Sequence, residues 1–169
     1  KVRGGVGTAL VDVSPFSVAA VVVANPVGQV IDAETGRLFG APGAPAVDVE
    51  RFAAARSLAE SFAESSRLNT TIGAVLTDAP LSKAQTKRLA LAGHDGIARA
   101  VRPAHSPLDG DTLFAAASGV RSAEKGIGPA ELASLSAAAA DAVEAAIVDA
   151  VVSASPGLGL EAYSSLRAC

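Results

Sequence analysis

The pentapeptide Asn69-Thr70-Thr71-Ile72-Gly73 sets a threonine where a polar stretch, Ser65-Ser66-Arg67-Leu68-Asn69, meets an apolar, β-branched one, Thr70 to Thr77. If the bond before Thr70 were cut, that threonine would become a chain start at the lip of a strand. Its hydroxyl would lie beside its own α-amine. An amine free of a peptide bond titrates at about pH 8, so it can take the hydroxyl proton near neutrality. Nucleophile and base are then one residue. Without such a cut, paired threonines simply begin a strand, as β-branched residues often do.

Other groups carry compatible chemistry. In Asp109-Gly110-Asp111-Thr112, two carboxylates stand one residue apart on a glycine turn. Such a pair can orient an amine or hydroxyl, or share a proton with one pKa raised; it is equally a turn with solvated acids. The same residues superficially resemble the D-x-D-x-T nucleophile motif of haloacid-dehalogenase-like phosphatases, with Thr112 one position early. That motif follows a buried strand, whereas here the apolar run comes after it. Asn25, in Asn25-Pro26-Val27-Gly28, puts a side-chain amide at the end of a buried run, where it can donate to an oxyanion or make a strand-ending turn. Gly4-Gly5-Val6-Gly7 lacks the Gly-Lys-Ser/Thr of a phosphate loop and any dinucleotide fingerprint. Lys1 beside it offers a positive charge to a site or to solvent. His94 and His105 have neither metal-ligand spacing nor supporting cysteines. No G-x-S-x-G elbow accompanies them, so both read as structural or peripheral.

These residues need rigid elements to hold them. Ser17 to Ala24, Thr70 to Thr77 and Asp111 to Ser118 read as buried strands, being apolar runs rich in β-branched residues. Asn25-Pro26 ends the first of these, because proline cannot donate to a ladder. Gly28 to Ile31 and Arg37 to Phe39 suggest a short hairpin, and Lys1 to Thr8 a loop or strand rim. Apolar residues recur at helix spacing over Asp48 to Glu64 (Phe52, Ala55, Leu58, Ala59, Phe62). Ser82-Lys83-Ala84-Gln85 forms a capping box for a second helix toward Val101, with Gly93 and Gly96 weakening its later half. Pro129 opens a long alanine-rich helix to about Ala154. The tail from Pro156 reads as irregular. Mixed strands and helices without an internal repeat predict layers of helix and sheet.

Composition narrows the function classes. With 169 residues, half of them hydrophobic and no Trp, the chain makes one domain with a core of small side chains. Net charge is -3 and the longest basic run is Lys87-Arg88, which argues against nucleic acid. The apolar stretch from Ala137 to Ala154 is interrupted by Asp141, Glu144 and Asp149, which argues against a membrane span. No secretory signal is visible and the single cysteine, Cys169, is terminal, so a cytoplasmic location is expected. No cofactor is implied. The chain begins Lys1-Val2-Arg3 and contains no Met, so it shows no translation start and a processed or truncated piece of something longer is the expectation.

Read jointly, the segments resemble the P1 peptidase family, the aminopeptidases and amide hydrolases related to D-aminopeptidase A and nylon-oligomer hydrolase. The resemblance rests on Lys1 to Gly7, Val21 to Gly28, Asn69 to Gly73, Thr77 to Gln85, Ala92 to Gly96 and Arg102 to Thr112, in that order. It implies an α/β protein of the N-terminal-nucleophile type, a four-layer α/β/β/α sandwich of which this chain is the C-terminal half. It further implies self-cleavage between Asn69 and Thr70, with residues 1–69 ending an α chain and 70–169 forming a β chain. Thr70 would be the nucleophile and Asn25 an oxyanion donor. Asp109 and Asp111 would orient the Thr70 amine and hydroxyl, with Lys1 beside them. Small peptides, amides or esters would be substrates, and a homo-oligomer is expected.

Many members carry a serine nucleophile with a Ser/Glu pair where Asp109 and Asp111 stand, so the chain looks closer to a Thr/Asp branch and β-aminopeptidase specificity is not implied. The family's N-terminal half is missing, which would leave a sheet face or edge to be covered by another chain. Two competing readings remain: acyl transfer of the ornithine acetyltransferase type, and an uncleaved, non-catalytic assembly subunit.

Overall fold

The computed structural model describes residues 2–62, 69–122 and 126–168. Lys1 and the polar stretch before Asn69 lie outside the described residues. Four strands, β1 (Val6–Val13), β2 (Phe16–Val23), β3 (Ile72–Thr77) and β4 (Thr112–Ala117), form one sheet in chain order. β1, β2 and β3 pair antiparallel, and β4 lies parallel to β3. A parallel pair needs a crossover, and α2 (Lys83–Ala100) supplies it. The remaining helices are α1 (Val49–Phe62), α3 (Pro129–Val152) and the short α4 (Tyr163–Leu166).

Register decides what each face of the sheet meets, because side chains alternate along a strand. Val18, Ala20 and Val22 of β2 share a face with Gly7, Val75 and Leu113, and all of them are buried. Helices α2 and α3 cover this face, α3 over β1 and β2 and α2 over β4. The core is built from small residues: α3 buries Ala138, Ala139, Ala142, Val143, Ala146 and Ala150. Glycine lets the layers approach more closely still. A Cβ on Gly7 would lie 2.0 Å from Ala146 O, so β1 runs directly beneath the backbone of α3.

The opposite face carries Val6, Leu10, Val21, Val23, Ile72, Leu76 and Phe114, and it is bare. Leu10 is 66 % exposed and Phe114 64 %. Residues of this kind normally pack against another layer, and a contiguous apolar patch marks an interaction surface.

Several local expectations change. The basic, glycine-rich start leads into β1, which extends well past Thr8 to Val13. The expected hairpin shrinks to the bridge between Ile31 and Leu38, with Asp32 N–H donating to Arg37 O. Gly93 and Gly96 do not break α2, because both are buried against neighbours that leave no room for a side chain. On α1, Phe52 is buried but Leu58 is half exposed. The tail is anchored: Tyr163 and Leu166 are buried, Tyr163 Oη donates to Pro45 O, and Val47 bridges to Arg167.

Candidate active site

Thr70 lies just before β3, where the sheet ladders continue past the strand ends. Its N–H donates to Asn25 O at 2.9 Å, extending the β2–β3 register in which Val23 faces Ile72. On the other side Asn69 bridges Asp109 in parallel, and Gly110 N–H donates to Asn69 O at 3.1 Å. The structure thus brings Asn25, Asn69, Thr70, Asp109 and Asp111 together at one end of the sheet. By register Thr70, Asn25 and Gly110 belong to the bare apolar face. The Thr70 hydroxyl stands over Gly110, where an added Cβ would come within 2.6 Å of Oγ1.

The aspartates hold the backbone around this threonine. Asp111 Oδ1 accepts from Thr71 N–H at 2.9 Å, fixing the residue next to the hydroxyl. Asp109 Oδ1 accepts from Val27 N–H at 2.9 Å, and its Oδ2 from Ser106 N–H and Oγ at 3.0 and 2.8 Å. One carboxylate therefore ties the loop after Asn25 to the turn that precedes β4. The tie is reinforced where Gln29 and Arg102 exchange backbone hydrogen bonds of 2.8 and 2.9 Å. At Gly28 a Cβ would meet Pro103 O at 2.1 Å, so only glycine permits this approach.

Burial pushes the Asp109 carboxyl up, but the hydrogen bonds from Val27 and Ser106 outweigh it and the group ionises below its ordinary value. A carboxyl whose folded pKa is depressed stabilises the fold above its unfolded value, about 3.9. That contribution is lost as pH falls through the lower folded value. Asp109→Asn should therefore be less stable than wild type at pH 6, with the difference shrinking as pH falls below the unfolded value of about 3.9, as read from urea midpoints across that range. A gap independent of pH would mean that the charge is not what holds the loops.

His105, expected to be peripheral, has Nδ1 3.2 Å from Asp111 Oδ2, and the Asp111 side chain is only 3 % exposed. Its ring lies 4.9 Å from that of His94, and its backbone has a positive φ of 56°. His94 is held below the ordinary histidine value, first by burial and then by the neighbouring His105. Nothing in the sequence spacing of this pair signals that the fold brings the two rings together and sets His105 against Asp111. Among the described residues no cluster of histidine, cysteine and carboxylate side chains could hold a metal ion. Lys1 lies outside the described residues. A cavity of about 30 Å³ borders Asn25, Gly28 and Gln29, too small for a peptide. Among the described residues no helix is long and apolar enough to cross a membrane.

Known proteins resemble this chain in sequence and fold. The model of peptidase family S58 matches residues 1–163. An uncharacterized aminopeptidase of Mycobacterium tuberculosis is 39 % identical over 180 residues, spanning 97 % of this chain and 52 % of its own. A 6-aminohexanoate-oligomer endohydrolase of a Kocuria species is 32 % identical over 66 % of this chain and 32 % of its own. Among solved structures, the L-aminopeptidase D-Ala-esterase/amidase of Ochrobactrum anthropi, described as a variant of the Ntn hydrolase fold, superposes with a TM-score of 0.60 and 30 % identity over 90 % of this chain and 41 % of that one. A Burkholderia β-aminopeptidase gives a TM-score of 0.57 and 27 % identity over 89 % and 42 %. The chain spans about half the length of the aminopeptidases it matches, and its sheet with one helical layer is part of the α/β/β/α sandwich. By its sequence over residues 1–163 and by its fold, the chain belongs to peptidase family S58.

Proposed function

We propose that this chain is the nucleophile-bearing half of a self-processing amide hydrolase. It cuts its own Asn69–Thr70 bond and then hydrolyses small peptides, amides or esters through an acyl-enzyme on Thr70. The observation that carries this reading is the threonine itself. Its backbone is clamped between Asn25 and the Asp109-Gly110-Asp111 turn, and its side chain faces the open side of the sheet. The freed amine takes the hydroxyl proton as Oγ1 attacks a substrate carbonyl, and the proton then passes to the leaving amine. The tetrahedral oxyanion is held by the Asn25 side chain and nearby amides. The Asp111 and Asp109 carboxylates keep Thr71 and the Asn25 loop in place. N-terminal sequencing of purified full-length protein tests the reading: a chain start at Thr70 supports it, and an intact chain in an active sample sinks it.

The bare face gives this site its missing walls. Polypeptide outside these residues, the portion that the longer relatives possess, supplies a second sheet against Leu10, Ile72 and Phe114 and closes a substrate pocket over Thr70. Residues 1–169 produced alone should then bind a hydrophobic dye and self-associate on size-exclusion chromatography, and co-production with the remaining polypeptide should abolish both. A monomeric, dye-silent fragment would mean that the face needs no cover.

A further inference from the structure

The peptide bond to be cut is held from both sides. Its N–H donates to Asn25 O at 2.9 Å, and its carbonyl, Asn69 O, accepts from Gly110 N–H at 3.1 Å. The next rung along, Thr112 N–H to Thr71 O at 2.9 Å, is an ordinary ladder bond. The Gly110 rung differs because the same glycine lies against Thr70 Oγ1, so closely that a Cβ there would be 2.6 Å from it. One residue thus touches both the attacking oxygen and the oxygen on which charge would develop.

We infer that the Gly110 N–H is the oxyanion donor for self-cleavage and that, once Asn69 has left, it serves the substrate carbonyl as well. The inference rests on Thr70 being the nucleophile. In the first step Thr70 Oγ1 bonds to the Asn69 carbonyl carbon and its proton passes to the Thr70 nitrogen. The carbonyl π pair moves onto Asn69 O, where the Gly110 N–H meets the growing charge. Collapse breaks the C–N bond and leaves Asn69 as an ester on Oγ1 beside a free α-amine. Water then adds to the ester carbonyl; the C–Oγ1 bond breaks, the proton returns to Oγ1, and Asn69 departs as a carboxylic acid. Only water is consumed. A donor already aligned on the carbonyl needs no reorganisation as the charge forms, which is why such donors act strongly. Departure of Asn69 leaves the N–H pointing at the space beside Oγ1 that an incoming carbonyl oxygen would fill.

The decisive variant replaces Gly110 with glycolic acid by nonsense suppression in the full-length protein, exchanging the N–H for an ester oxygen. Self-cleavage, followed as the appearance of two pieces on a denaturing gel, should slow by about 10²–10³-fold, the usual cost of losing one such donor. A second measurement stands apart from that variant's folding. In uncleaved Thr70→Ala the Gly110 amide proton should be protected from exchange. In cleaved wild type its resonance should move downfield when an aminoalkyl boronic acid forms a tetrahedral adduct on Thr70. Wild-type cleavage at an unchanged rate in the folded ester variant, or a Gly110 resonance indifferent to the boronate, overturns the inference while leaving Thr70 as nucleophile. A wild-type chain that never breaks at 69/70 overturns both.

Discussion

Thr70→Ala in the full-length protein should give a single uncleaved chain with no measurable amide hydrolysis. The two losses share one cause. In the proposed mechanism the hydroxyl attacks Asn69 in processing and the substrate in turnover, and no second hydroxyl occupies its place: Thr71 points to the helix-covered face, where it is fully buried. The substitution removes little from the fold, since the backbone bonds of Thr70 to Asn25 and of Thr71 to Asp111 do not involve the side chain. The variant should therefore melt within a few degrees of the wild-type precursor. Thr70→Ser keeps a hydroxyl on the same carbon and should retain both reactions at reduced rate, because the lost methyl group leaves the hydroxyl freer to rotate. Asn25→Ala should behave differently from either, slowing turnover by about a hundredfold through loss of one oxyanion donor. Its clamp on the Thr70 N–H is a backbone carbonyl and survives the change. Gel, mass and turnover of the three variants side by side separate the roles. Full activity in Thr70→Ala would end the assignment, and unchanged turnover in Asn25→Ala would remove its side chain from the mechanism.

Much of this was legible from residue types, and the remainder depended on register. The capping box at Ser82 is fully formed, with Ser82 N–H donating to Gln85 Oε1 at 2.9 Å and Gln85 N–H to Ser82 Oγ at 3.3 Å. Local hydrogen bonding of that kind needs no tertiary context, so sequence alone indicates it. The apolar runs of β2, β3 and β4 were equally plain. β1 was not, because Thr8 to Val13 mixes apolar residues on both faces with a threonine and an aspartate. Such a strand shows neither clean alternation nor a continuous apolar run. At the site, Thr70, Asn25 and the aspartates stood out by side-chain chemistry, but nothing local says that position 25 comes opposite position 70. Gly110 left no signal beyond a turn, since its contribution is an N–H and the absence of a side chain. His105 was discounted by metal-spacing rules, yet it contacts Asp111 across the turn.

Gly96→Ala should lower the melting temperature even though alanine is the better helix former. In an exposed helix interior the exchange would gain about 1 kcal/mol. Here the added Cβ would lie 2.2 Å from Ala140 O, 2.9 Å from Glu144 N and 2.9 Å from Val143 Cβ. Two of those atoms are backbone of α3, which cannot turn aside as a side chain could, so the two helices must separate. Overpacking of this kind typically costs about 1–3 kcal/mol, and for a domain of this size each kcal/mol shifts the midpoint by about 2–4 °C. A fall of roughly 2–12 °C is expected on those scales for alanine, with a larger fall for Gly96→Val. Gly93→Ala should cost less, because its tightest neighbour is the end of the Leu113 side chain at 2.9 Å, which can move. Gly43→Ala, with nothing within 4 Å, should be neutral or slightly stabilising through the unfolded chain. The consequence reaches the active site because α2 carries His94 and packs on β4, the strand that follows Asp111. Lifting the helix shifts the turn that holds Thr71 and Asn69. Self-cleavage in Gly96→Ala should therefore slow at temperatures where circular dichroism still reports a folded chain. A variant as stable as wild type would mean that the two helices do not meet backbone to backbone at Gly96.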